Sequence, residues 1–323
     1  MELMQLQMLV AVAEEGSLQK AAGRVYRTAP AVSIAISKLE DEIGTLLLDR
    51  THGRGFRLTA AGEVLVGYAR GLISLRDEAL AAVEGIRNVE RGQLRIGANQ
   101  SIGEYLLPQL TQSFQRRYPG VKLKVMIGYS DAVLLALKHW ELDVALVAGQ
   151  PQDRDLRGRL LMRDRLVAVM SARHRLAGRE PLHLRELADE PLIVLTAKSE
   201  LRERVAATFQ RSHVSLNVQV ETGTLESIKR MAARDMGVGI VPRMCVHEEE
   251  ESGDLIVKTV EEFREERMLW IVCRRGALSP ACRAFIKVTK AELKVVVRGD
   301  FRGAPSLPDT SQVRRRRRRL VGK

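Results

Sequence analysis

Apolar positions near the start of the chain recur at helical spacing. Leu6, Leu9, Val10 and Ala13 mark a first amphipathic helix, which Gly16 interrupts. Ser17 is placed to cap a second helix with Ala21, Ala22 and Val25 on its inner face, where small side chains admit a close neighbour. Thr28 then opens a third helix, with Pro30 in the first turn where a missing N–H costs nothing. In that helix Val32, Ile36, Leu39 and Ile43 form one stripe predicted to be buried, and Gly44 is a natural stop. The following "LLLDRTHGRGFRLTAAG" alternates as strand, basic glycine-containing turn, strand and new helix start. Two short helices behind a supporting helix, followed by a basic hairpin, predict a winged helix-turn-helix over residues 1–58.

From Thr59 about thirty residues run without proline. Leu65, Leu72, Ala79 and Ile86 repeat every seven positions, and so do Tyr68, Leu75, Ala82 and Val89, three places later. Such a double seam predicts a long helix over 59–91 that pairs with a second copy of the chain.

The pattern changes at Gly92. "GQLRIGA", "VKLKVMIG", "LDVALVAG", "LVAVMSA", "LIVLT", "NVQVET", "GVGIVP", "LIVKTV" and "RMLWIVCRR" read as strands separated by helical stretches. This alternation predicts an α/β region with mostly parallel strands over 92–297. Its length suits two sub-domains, about 92–163 with 267–297 and about 164–266, with a cleft between them. Strand C-termini followed by helix N-termini are where such folds hold small anions. Candidate effector contacts are Asn99, Gln100, Ser101, Ser130, Thr196, Ser199, Arg202 and Thr224.

Composition narrows the function. Apolar residues make up 45% of the 323, enough for packed cores, while aromatics at 4% leave the packing to aliphatic side chains. No apolar run reaches the ~20 residues of a membrane span, and the acidic N-terminus does not read as a signal peptide. Cys245, Cys273 and Cys282 form no CxxC, which fits buried thiols in a reducing cytoplasm rather than a metal site. The net charge of +12 is uneven: residues 298–323 hold nine Lys/Arg against two Asp, while residues 1–58 are balanced at seven of each sign. DNA contact by the front must therefore rest on arrangement. The third helix offers Thr28, Pro30, Ser33, Ser37 and Lys38 outward, and the hairpin offers Arg50, Arg54 and Arg57 to phosphate or minor groove. GxSxG, HExxH and phosphate-loop motifs are missing, and the six histidines lack metal spacing. The expectation is a protein without catalytic, cofactor or metal site.

Residues 1–62, with "PAVS…I..LE" and "DRT…RLTAAG", resemble the DNA-binding head of LysR-type transcriptional regulators. "IGEYLLPQL…F…YPGVKL", "ELDVALV" and "GTLESIKRMAARDMGVGIVPR" resemble their effector domain, so the likeness covers roughly 1–297. The resemblance implies a periplasmic-binding-protein-like effector domain and transcription modulated by a small metabolite. It also implies a homodimer, or a dimer of dimers, on double-stranded promoter DNA, with RNA polymerase as a further partner. Some positions depart from the family. Ala29 stands where the family usually has Gln, and Ile34 where it often has Arg, so two base-reading side chains are lost. "AKSELR" keeps Ser199 and Arg202 but not the usual glycines, and Tyr129 replaces an Asn. The Gly-, Pro- and Ser-rich tail reads as disordered, and its six arginines, Arg314 to Arg319, suit a sequence-independent DNA clamp. A ligand-independent, weakly specific DNA binder is the alternative these departures raise. A solute-binding or enzymatic α/β protein with a borrowed head is the other.

Overall fold

The structure is a computed structural model that describes residues 1–49, 56–84, 92–197, 199–276 and 278–298. The head consists of α1 (Leu3–Glu15), α2 (Leu18–Arg24) and α3 (Ala29–Ile43), with a two-stranded antiparallel hairpin of β1 (Leu48–Asp49) and β2 (Arg57–Leu58). Thr28 caps α3 by accepting the Ala31 N–H at 3.4 Å, and Gly44 ends it in the left-handed conformation. Ser17 precedes α2 in extended backbone but makes no side-chain cap bond. Leu6, Leu9, Ala21, Ala22, Val32, Ile36 and Leu39 close the small core.

The expected stripe of α3 needs one correction: Ile43 is 41% exposed, and the last buried place belongs to Glu40, only 6% exposed. The reason lies in the next segment. Glu40 accepts the N–H groups of Leu47 at 2.9 Å and Leu48 at 3.2 Å through one oxygen, and buried donors of this kind require an acceptor. Helix α3 and the first hairpin strand are thus tied by one carboxylate.

Helix α4 (Ala60–Glu84) starts at a cap in which Thr59 accepts the Gly62 N–H at 3.0 Å. Gly62 is required there: a Cβ would lie 2.1 Å from the Leu47 carbonyl oxygen. Of the heptad positions, Tyr68, Leu72, Leu75 and Ala79 are exposed and Leu65 is half-buried, leaving an apolar seam on the helix surface. Ile86 and Val89, and the side chain of Ala82, lie outside what the structure describes.

Beyond α4 come two five-stranded sheets. The first has the order β4 (Val121–Gly128), β3 (Gly92–Asn99), β5 (Val144–Ala148), β12 (Arg267–Arg274), β6 (Leu156–Asp164). The helices α5 (Gln100–Tyr105), α6 (Leu107–Arg117), α7 (Ser130–Lys138) and α11 (Pro280–Arg298) pack on it. The second has the order β11 (Ile256–Thr259), β7 (Leu166–Met170), β10 (Val238–Pro242), β8 (Leu192–Leu195), β9 (Val218–Thr222). It carries α8 (Glu200–Arg211), α9 (Leu225–Ala233) and the short α10 (His247–Ser252). The chain leaves the first sheet after β6 and returns at β12.

Those two crossings correct the expectation of mostly parallel strands. Parallel pairs hold β3 between β4 and β5, and β8 between β9 and β10. The strands flanking the crossings, β6, β7, β11 and β12, pair antiparallel because the chain re-enters each sheet from the opposite end. Strand β6 was absent from the expected elements. It is an edge strand rich in exposed arginine, a composition that blunts an edge and hides the strand pattern.

Helix α4 is seated on the first sheet's half. Arg95 donates to Ser74 of α4 at 3.3 Å while also holding the Trp140 carbonyl at 2.7 Å and the Asp143 carboxylate at 2.6 Å. Arg70 of α4 joins Glu14 of the head at 3.3 Å and Glu141 of this half. Gly71 lies against the Trp140 indole, where a Cβ would stand 2.9 Å from ring atoms.

Candidate DNA interface and ligand cleft

On α3 the exposed positions Pro30, Ile34, Lys38 and Asp41 are spaced by three or four along one face, and Glu42 and Ile43 are exposed at the helix end. Ser33 and Ser37 flank that face half-buried, and Thr28 stands exposed at its start. Ile34, 57% exposed, is the large apolar residue at the centre of the face. Arg57 is exposed on β2, whereas Arg50 and Arg54 lie outside the described residues. The tail with Arg314 to Arg319 lies outside them as well. The face can thus supply hydroxyls and one ammonium to phosphates, and apolar contact to thymine methyls.

Between the two sheets is a cavity of about 230 Å³. Asn99, Gln100, Ser101 and Ser130 line it from the first half, and Ser199 from the second, so the structure brings these five together. Leu195, Leu201 and Leu225 provide the apolar wall of the second half, and Ile127 and Tyr129 face them from the first. Each polar residue is positioned by a strand end. Asn99 ends β3 and caps α5 by accepting the Ile102 N–H at 3.2 Å. Ser199 caps α8 by accepting the Arg202 N–H at 3.1 Å.

Three candidates stand apart from the cavity lining. The Thr196 hydroxyl pairs with the Tyr129 hydroxyl at 3.1 Å, a direct link across the two halves. Thr224 caps α9, accepting the Ser227 N–H at 3.1 Å; its neighbours Gly223 and Leu225 are the ones that line the space. Arg202 sits 4.0 Å from Glu221, because one turn into α8 the side chain points along the helix flank toward β9.

The residue that sequence reasoning missed is Arg267. It lines the cavity, is 3% exposed, and begins β12 at the point where the chain returns from the second half. Its Nη1 donates to Ser101 Oγ at 3.0 Å, and its Nε donates to Glu200 at 3.3 Å. Asp164, its register partner at the end of β6, lies 3.8 Å away and is fully buried. Burial pushes the Asp164 carboxyl above its ordinary value of 3.8, with Arg267 pulling the other way. The signal for Arg267 in the sequence was faint: the last residue of the charged run "REER", just ahead of the apolar "MLWIVC".

A second polar link joins the halves beside the cavity. Lys229 of α9, 4% exposed, lies 4.8 Å from the Tyr105 ring centroid and pairs with Glu226 at 3.0 Å and with Glu249. Burial alone would lower the Lys229 pKa, but hydrogen bonds to Glu249, Tyr105 and Glu226 lift it above its ordinary value. Tyr105 is raised chiefly by burial, so lysine and phenol keep their protons over the ordinary pH range. All three cysteines are free and buried, and burial pushes the Cys245 thiol up. Among the described residues no group of His, Cys, Asp and Glu is arranged to hold a metal, and no helix is long and apolar enough to cross a membrane.

Two family models match the chain. One is the LysR substrate binding domain, over residues 87–294. The other, over residues 3–63, is described as bacterial regulatory helix-turn-helix protein, lysR family. A probable RuBisCO transcriptional regulator of Cyanophora paradoxa is 32% identical over 291 residues, 88% of this chain and 89% of that one. A full-length OxyR variant from Pseudomonas aeruginosa superposes with a TM-score of 0.77 at 26% identity, covering 91% of this chain and 95% of its own. The regulatory domain of Synechocystis PCC6803 CcmR, solved in complex with 2-PG, has a TM-score of 0.59 at 25% identity and covers 63% of this chain and 98% of its own.

Proposed function

The chain belongs to the LysR family of bacterial transcriptional regulators, and from that premise we propose how its own residues carry the work. The protein is a DNA-binding regulator whose activity a small metabolite modulates. In our reading Thr28, Pro30, Ser33, Ser37 and Lys38 meet the major groove, and Arg50, Arg54 and Arg57 hold the flanking backbone. The exposed seam of α4, with Tyr68, Leu72 and Leu75, pairs with a second copy, so that two heads read two half-sites. Two such dimers form a tetramer, the protein works in the cytoplasm, and its role is regulatory rather than catalytic.

The metabolite is a small oxyanion taken into the cavity between the two sheets. One observation carries this: a buried guanidinium, Arg267, lines a cavity whose polar walls come from both halves. Asn99, Gln100, Ser101, Ser130 and Ser199 complete the polar contacts, while Thr196, Arg202 and Thr224 support from the rim. Binding alters the arrangement of the halves by as much as its affinity differs between the two states, and α4 passes that change to the heads. 2-PG, bound by the CcmR regulatory domain, is the first ligand to screen.

The test is recovery of DNA bound to the protein in its own cell. Discrete sites sharing an imperfect dyad are expected. Diffuse coverage without a shared motif would overturn specific regulation in favour of weakly specific binding.

A further inference from the structure

The polar contacts of Arg267 divide by origin. Ser101 and Asp164 belong to the same half as Arg267 itself, and both are buried. Glu200 is different: it opens α8 of the other half, and its side chain is 31% exposed. The Arg267–Glu200 bond therefore spans the cleft, and its acidic partner is the one with access to solvent.

The geometry of the bond is incomplete. Glu200 reaches only Nε, at 3.3 Å, while Nη2 on the same edge of the guanidinium bonds nothing among the described residues. An arginine edge of Nε and Nη2 is matched best by an oxyanion that takes both donors at once. Glu200 also has another partner. Its second oxygen accepts from Arg204 Nε at 3.2 Å, one turn along the same helix, and the N-terminal end of α8 favours a negative charge there. The carboxylate can leave Arg267 and remain paired. Asp164 cannot exchange in this way, being enclosed and tied to the Met244 N–H at 3.3 Å.

We propose that the Glu200 carboxylate is a built-in occupant of the effector's anion position, holding Arg267 across the cleft until an incoming oxyanion takes its place. The proposal rests on the reading that the cleft binds a small oxyanion. It adds that the resting protein is bridged by its own acid, and that the ligand replaces a protein–protein link with a ligand-mediated one. Glu200 thereby sets both the affinity for the ligand and the resting arrangement of the halves.

Glu200→Gln tests it, since the amide keeps size and the Arg204 contact while removing the charge. Full-length wild type and E200Q are titrated calorimetrically with inorganic phosphate and, separately, with acetate, a tetrahedral and a planar oxyanion. Each is repeated with Arg267→Gln, and with Ser101→Phe, which fills the cavity and removes the hydroxyl that accepts from Arg267 while leaving both charges in place. E200Q is expected to bind at least one anion about tenfold tighter than wild type, a gain that both added substitutions abolish. Equal or weaker binding by E200Q, with R267Q and S101F still abolishing it, would overturn the stand-in role and leave the cleft reading intact. Tighter binding that survives R267Q and S101F would overturn it too, because the anion would sit elsewhere. If neither protein binds either anion, the oxyanion cleft falls and the stand-in role falls with it.

Discussion

Glu40→Ala removes the carboxylate that joins α3 to the wing. One oxygen of Glu40 serves two backbone donors, at 2.9 and 3.2 Å, in a site that water does not reach. Losing it strands both N–H groups. At about 1–3 kcal/mol for each buried donor left without a partner, and with some relaxation of so short a strand, the head should lose about 3 kcal/mol. Glu40→Gln keeps an amide oxygen in place and should lose about 1 kcal/mol, the difference between a charged and a neutral acceptor. The assay uses the placement of the tryptophans. Trp140 and Trp270 both lie in the first sheet's half, so their emission follows that half, while helix dichroism follows the whole chain. A urea transition seen by dichroism but not by emission belongs to the head or to the second half with its α8 and α9, and of these only the head contains Glu40, so the one that Glu40→Ala shifts is the head's. An E40A head transition within about 0.5 kcal/mol of wild type would refute the reasoning, and so would an E40Q loss as large as that of E40A.

Further outcomes follow from the same contacts. Gly71→Val places side-chain atoms where the Trp140 indole already lies 2.9 Å from a Cβ, so α4 must lift from the first half; Trp140 emission should shift to the red and the ligand-dependent change in the DNA footprint should shrink, with ligand-free DNA affinity preserved. Asp164→Asn removes a carboxyl whose folded pKa is raised by burial. Wild type is therefore penalised as pH rises from the unfolded value toward the folded one, so the relief from Asp164→Asn, read as the melting temperature of D164N minus wild type, should grow from about pH 4 upward and level off; a difference that shrinks with rising pH would contradict it. Ile34→Arg puts a cation at the exposed centre of α3. If that face meets DNA, binding should tighten and the log–log salt slope should steepen by about 0.9; unchanged binding would argue against this face.

The helical head was legible because its periodicity and its cap residues agree. Thr28, Pro30 and Gly44 bracket α3 as read. Glu40 was not legible, because a polar residue at a stripe position is read as surface until the donors it serves are known. The strand–helix alternation of the larger region was legible from its apolar runs. The antiparallel returns were not, since strand direction depends on where the chain crosses between sheets, and β6 was masked by its arginines. At the cleft, strand-end hydroxyls such as Ser101 and Ser199 could be picked by position alone. Arg267 and Asp164 could not: their pairing is a register across β12 and β6, residues far apart in sequence. The Arg202 side chain lies off the cavity lining because a helix position one turn past the cap turns away from the strand ends.

Coupling of the cleft to DNA is what makes this protein a metabolite-responsive regulator. The measurement is a footprint on a recovered promoter site, with wild type and S101F, in the presence and absence of the dialysable metabolites of the protein's own cell. Wild type should show a ligand-dependent change in the protected pattern that S101F lacks, with both proteins protecting the site equally when the metabolites are withheld. A change that persists in S101F would contradict the account, as would a wild-type footprint that no metabolite alters.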